Sequence, residues 1–140
     1  MKRDVVREYY EAVHGHDWAK LESTLSLDVV RMGIRSDFDD DTVRGRDRYV
    51  RFVAEVIGTF EDHSMEIVGI FYSPDGRFAC AQTVETLRQP GRERVRLHCL
   101  KWHELDGDGL IVKIDQYRKG SPEPTPASLT VGAVRSARDA

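Results

Sequence analysis

Arg46-Asp47-Arg48-Tyr49-Val50-Arg51-Phe52-Val53-Ala54-Glu55-Val56-Ile57-Gly58-Thr59-Phe60 is the most periodic stretch of the chain. Tyr49, Phe52, Val53, Val56, Ile57 and Phe60 recur at i, i+3, i+4, i+7, i+8 and i+11, one face of an α-helix. This pattern predicts a long amphipathic helix that needs an apolar surface to lie against. The residues that follow supply one. Turn signals at Ser73-Pro74-Asp75-Gly76, Gln89-Pro90-Gly91 and Asp106-Gly107-Asp108-Gly109 divide them into four segments. Strands are predicted over roughly 64–72, 77–88, 93–105 and 110–119, joined as antiparallel hairpins because the turns are short.

Upstream of the long helix, Val6, Tyr9, Tyr10 and Val13 fall on one helical face, which predicts a helix over residues 3–14 that Gly15 can end. Asp17 suits the N-cap of a second short helix carrying Trp18, Leu21 and Leu25. Asp28 to Ile34 reads as a first strand, and the polar residues 35–46 as a loop. From Ser121 onward, Pro122, Pro124 and Pro126 alternate with small polar residues, so the expected division is a domain over 1–120 and a mobile Pro-rich tail over 121–140. Helices first and strands after predict an α+β fold with helices on one face of the sheet.

Composition narrows the function classes. With 21 Lys+Arg against 24 Asp+Glu the net charge is −3, which gives no bulk attraction for nucleic acid or an anionic membrane. No apolar run reaches the length of a membrane span. Met1-Lys2-Arg3-Asp4 enters a helical pattern without a signal-peptide core, so a cytoplasmic protein is expected. Cys80 and Cys99 lack CxxC spacing and are expected as free thiols. The sequence holds no dinucleotide loop, P-loop, nucleophile elbow or zinc-ligand pattern, so neither cofactor nor metal is expected.

Three groups of residues carry a likeness beyond pattern. They are Val6-Arg7-Glu8-Tyr9-Tyr10-Glu11-Ala12-Val13 before Gly15-His16-Asp17, Val43-Arg44-Gly45-Arg46-Asp47 at the head of the long helix, and Asp108-Gly109-Leu110-Ile111-Val112-Lys113-Ile114 before Tyr117. In this order and spacing, over residues 3–119, the chain resembles the nuclear transport factor 2-like superfamily in its SnoaL-like branch. The resemblance implies a cone, in which a curved mixed or antiparallel sheet wraps the N-terminal helices around a pocket (a cystatin-like α+β barrel). It also implies a homodimer through the convex sheet face. Its members include ketosteroid isomerases, polyketide cyclases, epoxide hydrolases and cyclases, and plain binding modules, so the fold alone does not select a reaction.

Candidate residues follow from the resemblance and from strand parity. Tyr9 matches the tyrosine donor of the ketosteroid isomerases, but their base falls near Gly33 and their second donor near Lys101, so steroid isomerase chemistry is not expected. Polyether epoxide cyclases pair a carboxylate near the acidic loop with a glutamate on the next strand, which points to Asp39 with Glu66 as an acid–base pair and Asp37 beside them. Those aspartates also suit a solvated turn. Family alignment turns Ile114, Gln116 and Arg118 toward the pocket. Arg118 stands at or beside the catalytic aspartate of the limonene epoxide hydrolases, and suits an anionic or carbonyl group instead. His98 and His103 lie on opposite faces of one strand, and the alternation Leu97, Cys99, His103, Leu105 favours His103 as a pocket acid. Tyr9, Gln116 and Trp18 join Arg118 as expected substrate contacts. The expected function is a cofactor-free acid–base enzyme that cyclises, isomerises or opens an epoxide of a hydrophobic metabolite. The competing reading is a ligand-binding or dimerisation module.

Overall fold

The computed structural model describes residues 2–33 and 42–119. The elements run α1 (Val5–Gly15), α2 (Trp18–Ser23), β1 (Leu25–Met32), β2 (Val43–Arg44), α3 (Arg46–Gly58), β3 (Asp62–Tyr72), β4 (Phe78–Arg88), β5 (Val95–Leu105) and β6 (Ile111–Arg118). Asp37 and Asp39, with the rest of the acidic loop, lie outside the described residues, as does the tail 121–140.

Each helix starts and stops for a local reason. Asp4 caps α1 by accepting from the Arg7 backbone N–H at 3.1 Å, and His16 closes it in the left-handed region at φ 55°. Asp17 caps α2 through the Lys20 N–H, also at 3.1 Å. Leu25, expected on that helix, instead opens β1, which therefore begins earlier than the sequence suggested. The expected loop 35–46 ends in structure. Val43 and Arg44 pair antiparallel with Arg31 and Val30, and Gly45 then leads into α3. A two-residue strand has no periodicity to read, so only pairing reveals it.

Among the described residues six strands form one mixed sheet in the order β2-β1-β6-β5-β4-β3. β1 runs parallel to β6 and the other neighbours are antiparallel. The edges β2 and β3 do not pair, so the sheet curls without closing into a barrel. Register shifts in β3 between Ile67 and Gly69, and against β6 beside Glu104 and Leu105, bend it further. The hairpin turns fall at the three expected sites. At the last of them Gly109 takes φ 78°, a conformation open to glycine, while the Asp106 carboxylate accepts from the Asp108 and Leu110 N–H groups.

The concave face meets α1 and α3. Val6, Tyr10, Leu21, Leu25, Val29, Ile111 and Ile114 are almost wholly buried there. Each such side chain contributes roughly 1.5–3 kcal/mol by leaving water. The convex face is different in kind. Phe71, Leu100, Trp102 and Tyr117 lie on it exposed, Phe71 at 73% and Tyr117 at 60%. Cross-strand register places Phe71 beside Cys80, Cys80 beside Trp102, and Leu100 beside Tyr117. The two cysteines are free thiols, Cys99 buried and Cys80 half-buried on the opposite face.

Candidate active site

The stripe on α3 explains the site. Tyr49, Phe52, Val53, Val56, Ile57 and Phe60 all line one cavity of about 100 Å³ between that helix and the sheet. The helix covers a hollow rather than a filled core, so four of the six stay only partly buried. Tyr9 and Val13 of α1, Met65 of β3, and Leu87, Leu97 and Cys99 of β4 and β5 complete the apolar wall.

A belt of polar groups crosses this wall. Arg31 on β1, Glu85 on β4, Lys101 on β5, and Gln116 and Arg118 on β6 all reach the cavity. Register assembles them, with Lys101 opposite Gln116, Cys99 opposite Arg118, and Glu85 opposite Leu97. With the Gln116 carboxamide oxygen turned toward Arg31, it accepts from the guanidinium Nε at 2.9 Å and from Nη2. Arg31 also lies 5.2 Å above the Phe52 ring.

Glu85 is the single carboxylate among the described residues lining the cavity. Its Oε1 lies 2.8 Å from Nε2 of His63, whose side chain is 1% exposed. An ionised carboxylate only accepts, so Nε2 carries the proton and donates. Burial pushes the Glu85 carboxyl up, but the His63 hydrogen bond and the charges of Lys101, His63 and Arg31 outweigh it. The group settles below its ordinary 4.5 and is ionised at neutral pH.

On the helical side, the hydroxyls of Tyr9 and Tyr49 form a short hydrogen bond to each other. Burial raises both above the ordinary tyrosine value, so both remain protonated. One hydroxyl donates to the other, which leaves the second proton available to a ligand oxygen.

The expected residues divide. Tyr9, Gln116 and Arg118 line the cavity. His103 has the expected parity but not the expected surroundings. It is 0% exposed, packed behind Tyr9 and Tyr10, with Nε2 at 2.8 Å from the Tyr10 hydroxyl, and it does not line the cavity. Burial and the nearby Lys101 charge push its pKa down to about 3, so it is neutral where a pocket acid would need its proton. Glu66 is exposed, facing outward opposite Val84 while Met65 beside it points in, so it does not join a pocket pair. Trp18 stacks on His16 at 5.7 Å and borders a separate shallow depression between α2 and α3. Among the described residues no cluster of three or more His, Cys, Asp or Glu could hold a metal ion.

Glu85, Lys101, Arg31, Tyr49 and His63 were not among the expected site residues, although Tyr49 opens the α3 stripe and Lys101 stands near the isomerases' second-donor position. Parity holds a signal for two of them. The series that selects His103 (Leu97, Cys99, His103, Leu105) passes through Lys101. Likewise Ala79, Ala81, Thr83 and Leu87 share their face with Glu85. A charged residue on an otherwise apolar inward face marks a lined hollow.

A helix-backed curved sheet enclosing a polar-belted cavity defines a class of small α+β pocket proteins, and known structures share the fold. A candidate ketosteroid isomerase from Kribbella flavida superposes with a TM-score of 0.70 at 24% identity, covering 87% of this chain and 80% of that one. A limonene-epoxide-hydrolase-like enzyme from M. tuberculosis gives 0.67 at 21%, covering 82% and 80%. A candidate polyketide cyclase from Xanthomonas campestris gives 0.70 at 18%, covering 82% and 87%. At these identities the likeness is one of fold. The sequence profile of the SnoaL-like domain matches residues 6–114, and the chain belongs to that family. No curated protein matches it. No helix among the described residues is long and apolar enough to cross a membrane.

Proposed function

We propose that the cavity is an acid–base active site for a hydrophobic, carbonyl-bearing small molecule. Glu85 takes a proton from carbon, and the Tyr9–Tyr49 pair donates to the oxygen on which charge gathers. The observation that carries this reading is Glu85 itself, an ionised carboxylate held by His63 and the single carboxylate among the described residues that line the cavity. Its low pKa sets the chemistry it can do. A weak base removes only an acidic proton, so the reading favours carbon flanked by two carbonyls, as in polyketide-like compounds. Filling the cavity strips water from the carboxylate and raises its proton affinity at the moment of use. The products would be isomers or cyclised forms of the same compound. Arg118 serves as an anchor at the cavity wall.

The test is deuterium exchange and enolisation of 1,3-dicarbonyl compounds such as 1-phenylbutane-1,3-dione. The wild-type chain accelerates exchange, and Glu85→Gln lowers the rate by roughly 10²–10⁴. No acceleration, or acceleration that survives Glu85→Gln, would overturn the reading and leave a ligand-binding module as the better account of the fold.

A second proposal concerns assembly. The exposed band of Phe71, Leu100, Trp102 and Tyr117 suits a second copy of this chain packed face to face. Lys113, Glu104 and Asp115 border it, and this mix of signs lets a two-fold partner place opposite charges together.

A further inference from the structure

Lys101 is 6% exposed, on the inward face of β5 between Cys99 and His103. Its ammonium lies 5.1 Å from the Tyr10 ring centroid, and among the described residues it makes no hydrogen bond or ion pair. Glu85 feels its charge but stands beyond ion-pair reach, and one of that carboxylate's oxygens is engaged by His63 at 2.8 Å. An ammonium taken from water needs acceptors, and an aromatic face replaces only a fraction of what hydration gave. What borders Lys101 instead is the cavity.

We infer that Lys101 is the anion-holding group of this cavity and that its ligand is a small amphipathic carboxylate. The inference rests on the small-molecule reading proposed above and names the chemical class of that molecule. A carboxylate oxygen placed in the cavity supplies Lys101 with both an acceptor and a counter-charge, whereas a neutral carbonyl supplies only the first. Phe52, Val56 and Ile57 offer the apolar wall for the rest of the ligand. A phosphate is a poorer fit. Its second charge and strong hydration need more donors than one ammonium in a mostly apolar chamber provides.

The experiment is a titration of the whole chain, followed by chemical-shift changes and by thermal shift. The probes are phenylacetate and its neutral counterparts, phenylacetamide and 2-phenylethanol. Phenylacetate binds about tenfold tighter or better than either neutral probe. Lys101→Met levels the three, and Lys101→Arg retains the preference. Equal binding of all three by the wild type overturns the inference while the cavity stands as a ligand site. A preference that survives Lys101→Met overturns it as well. If no probe binds, the inference fails, while the exchange assay decides the small-molecule reading on its own. The wild-type comparison and Lys101→Arg keep the test decisive should Lys101→Met not fold. Because binding is read without turnover, a failure of the proposed reaction remains distinct from a failure of this subsite.

Discussion

The His63 imidazole and the Glu85 carboxylate meet at 2.8 Å across two neighbouring strands, His63 on β3 and Glu85 on β4. The folded carboxyl has a lowered pKa, so it contributes stability that is present above its unfolded value of about 4.5 and is lost as pH falls through the lower folded value. Glu85→Gln removes this dependence. The variant unfolds with about 1–2 kcal/mol less stability near neutral pH. Its urea midpoint then changes less than that of the wild type below about pH 4.5. An acid limb of unaltered slope would mean that the pair does not hold the carboxylate as described.

His103 gives the opposite kind of dependence. Unfolded, it takes up a proton as pH falls through its ordinary 6.5, whereas the folded protein resists until about 3. More protons on the unfolded chain mean that stability declines over that window, by on the order of 5 kcal/mol in total. Replacing His103 by Gln flattens the decline between about pH 6.5 and 4.5, a range in which Glu85→Gln changes little. Urea titrations of both variants across this interval separate the two groups.

Much of this arrangement was legible in the chain. The α3 stripe, the three turn signals and the parity of β5 each report a local rule, helix period, turn chemistry or strand alternation, so they survive without tertiary context. Glu66 misled because the resemblance to epoxide cyclases named a glutamate on the strand after the acidic loop without its parity, and the neighbouring Met65 takes the inward position instead. The belt of Arg31, Glu85, Lys101 and Arg118 comes from four strands, two of them paired in parallel across a long separation, and no local period encodes that meeting. His63 acts only through Glu85, so nothing in its own neighbourhood of sequence marks it.

The Tyr9–Tyr49 hydroxyl pair joins α1 to α3 over the cavity. If the pair acts as one donor, removing either hydroxyl breaks it. Tyr9→Phe and Tyr49→Phe then each lower kcat on a 1,3-dicarbonyl probe by roughly 10–10³, and the double variant falls little further than the worse single. Independent, multiplying losses would show two separate contacts rather than a coupled donor.

Trp102 stands at the centre of the convex band, stacked on Phe78 at 5.3 Å and paired across the strands with Cys80 and Asp115. A face this apolar is costly to leave in water, and a two-fold copy covers every member of the band at once. The wild-type chain is therefore expected to sediment as a dimer. Trp102→Glu places a charge against its own symmetry mate near the axis, which disfavours the pair while leaving the concave core untouched. The variant should sediment as a monomer with an unchanged far-ultraviolet circular dichroism spectrum. A wild-type monomer at the same concentrations removes the dimer proposal. A dimer that persists in Trp102→Glu moves the contact to another face.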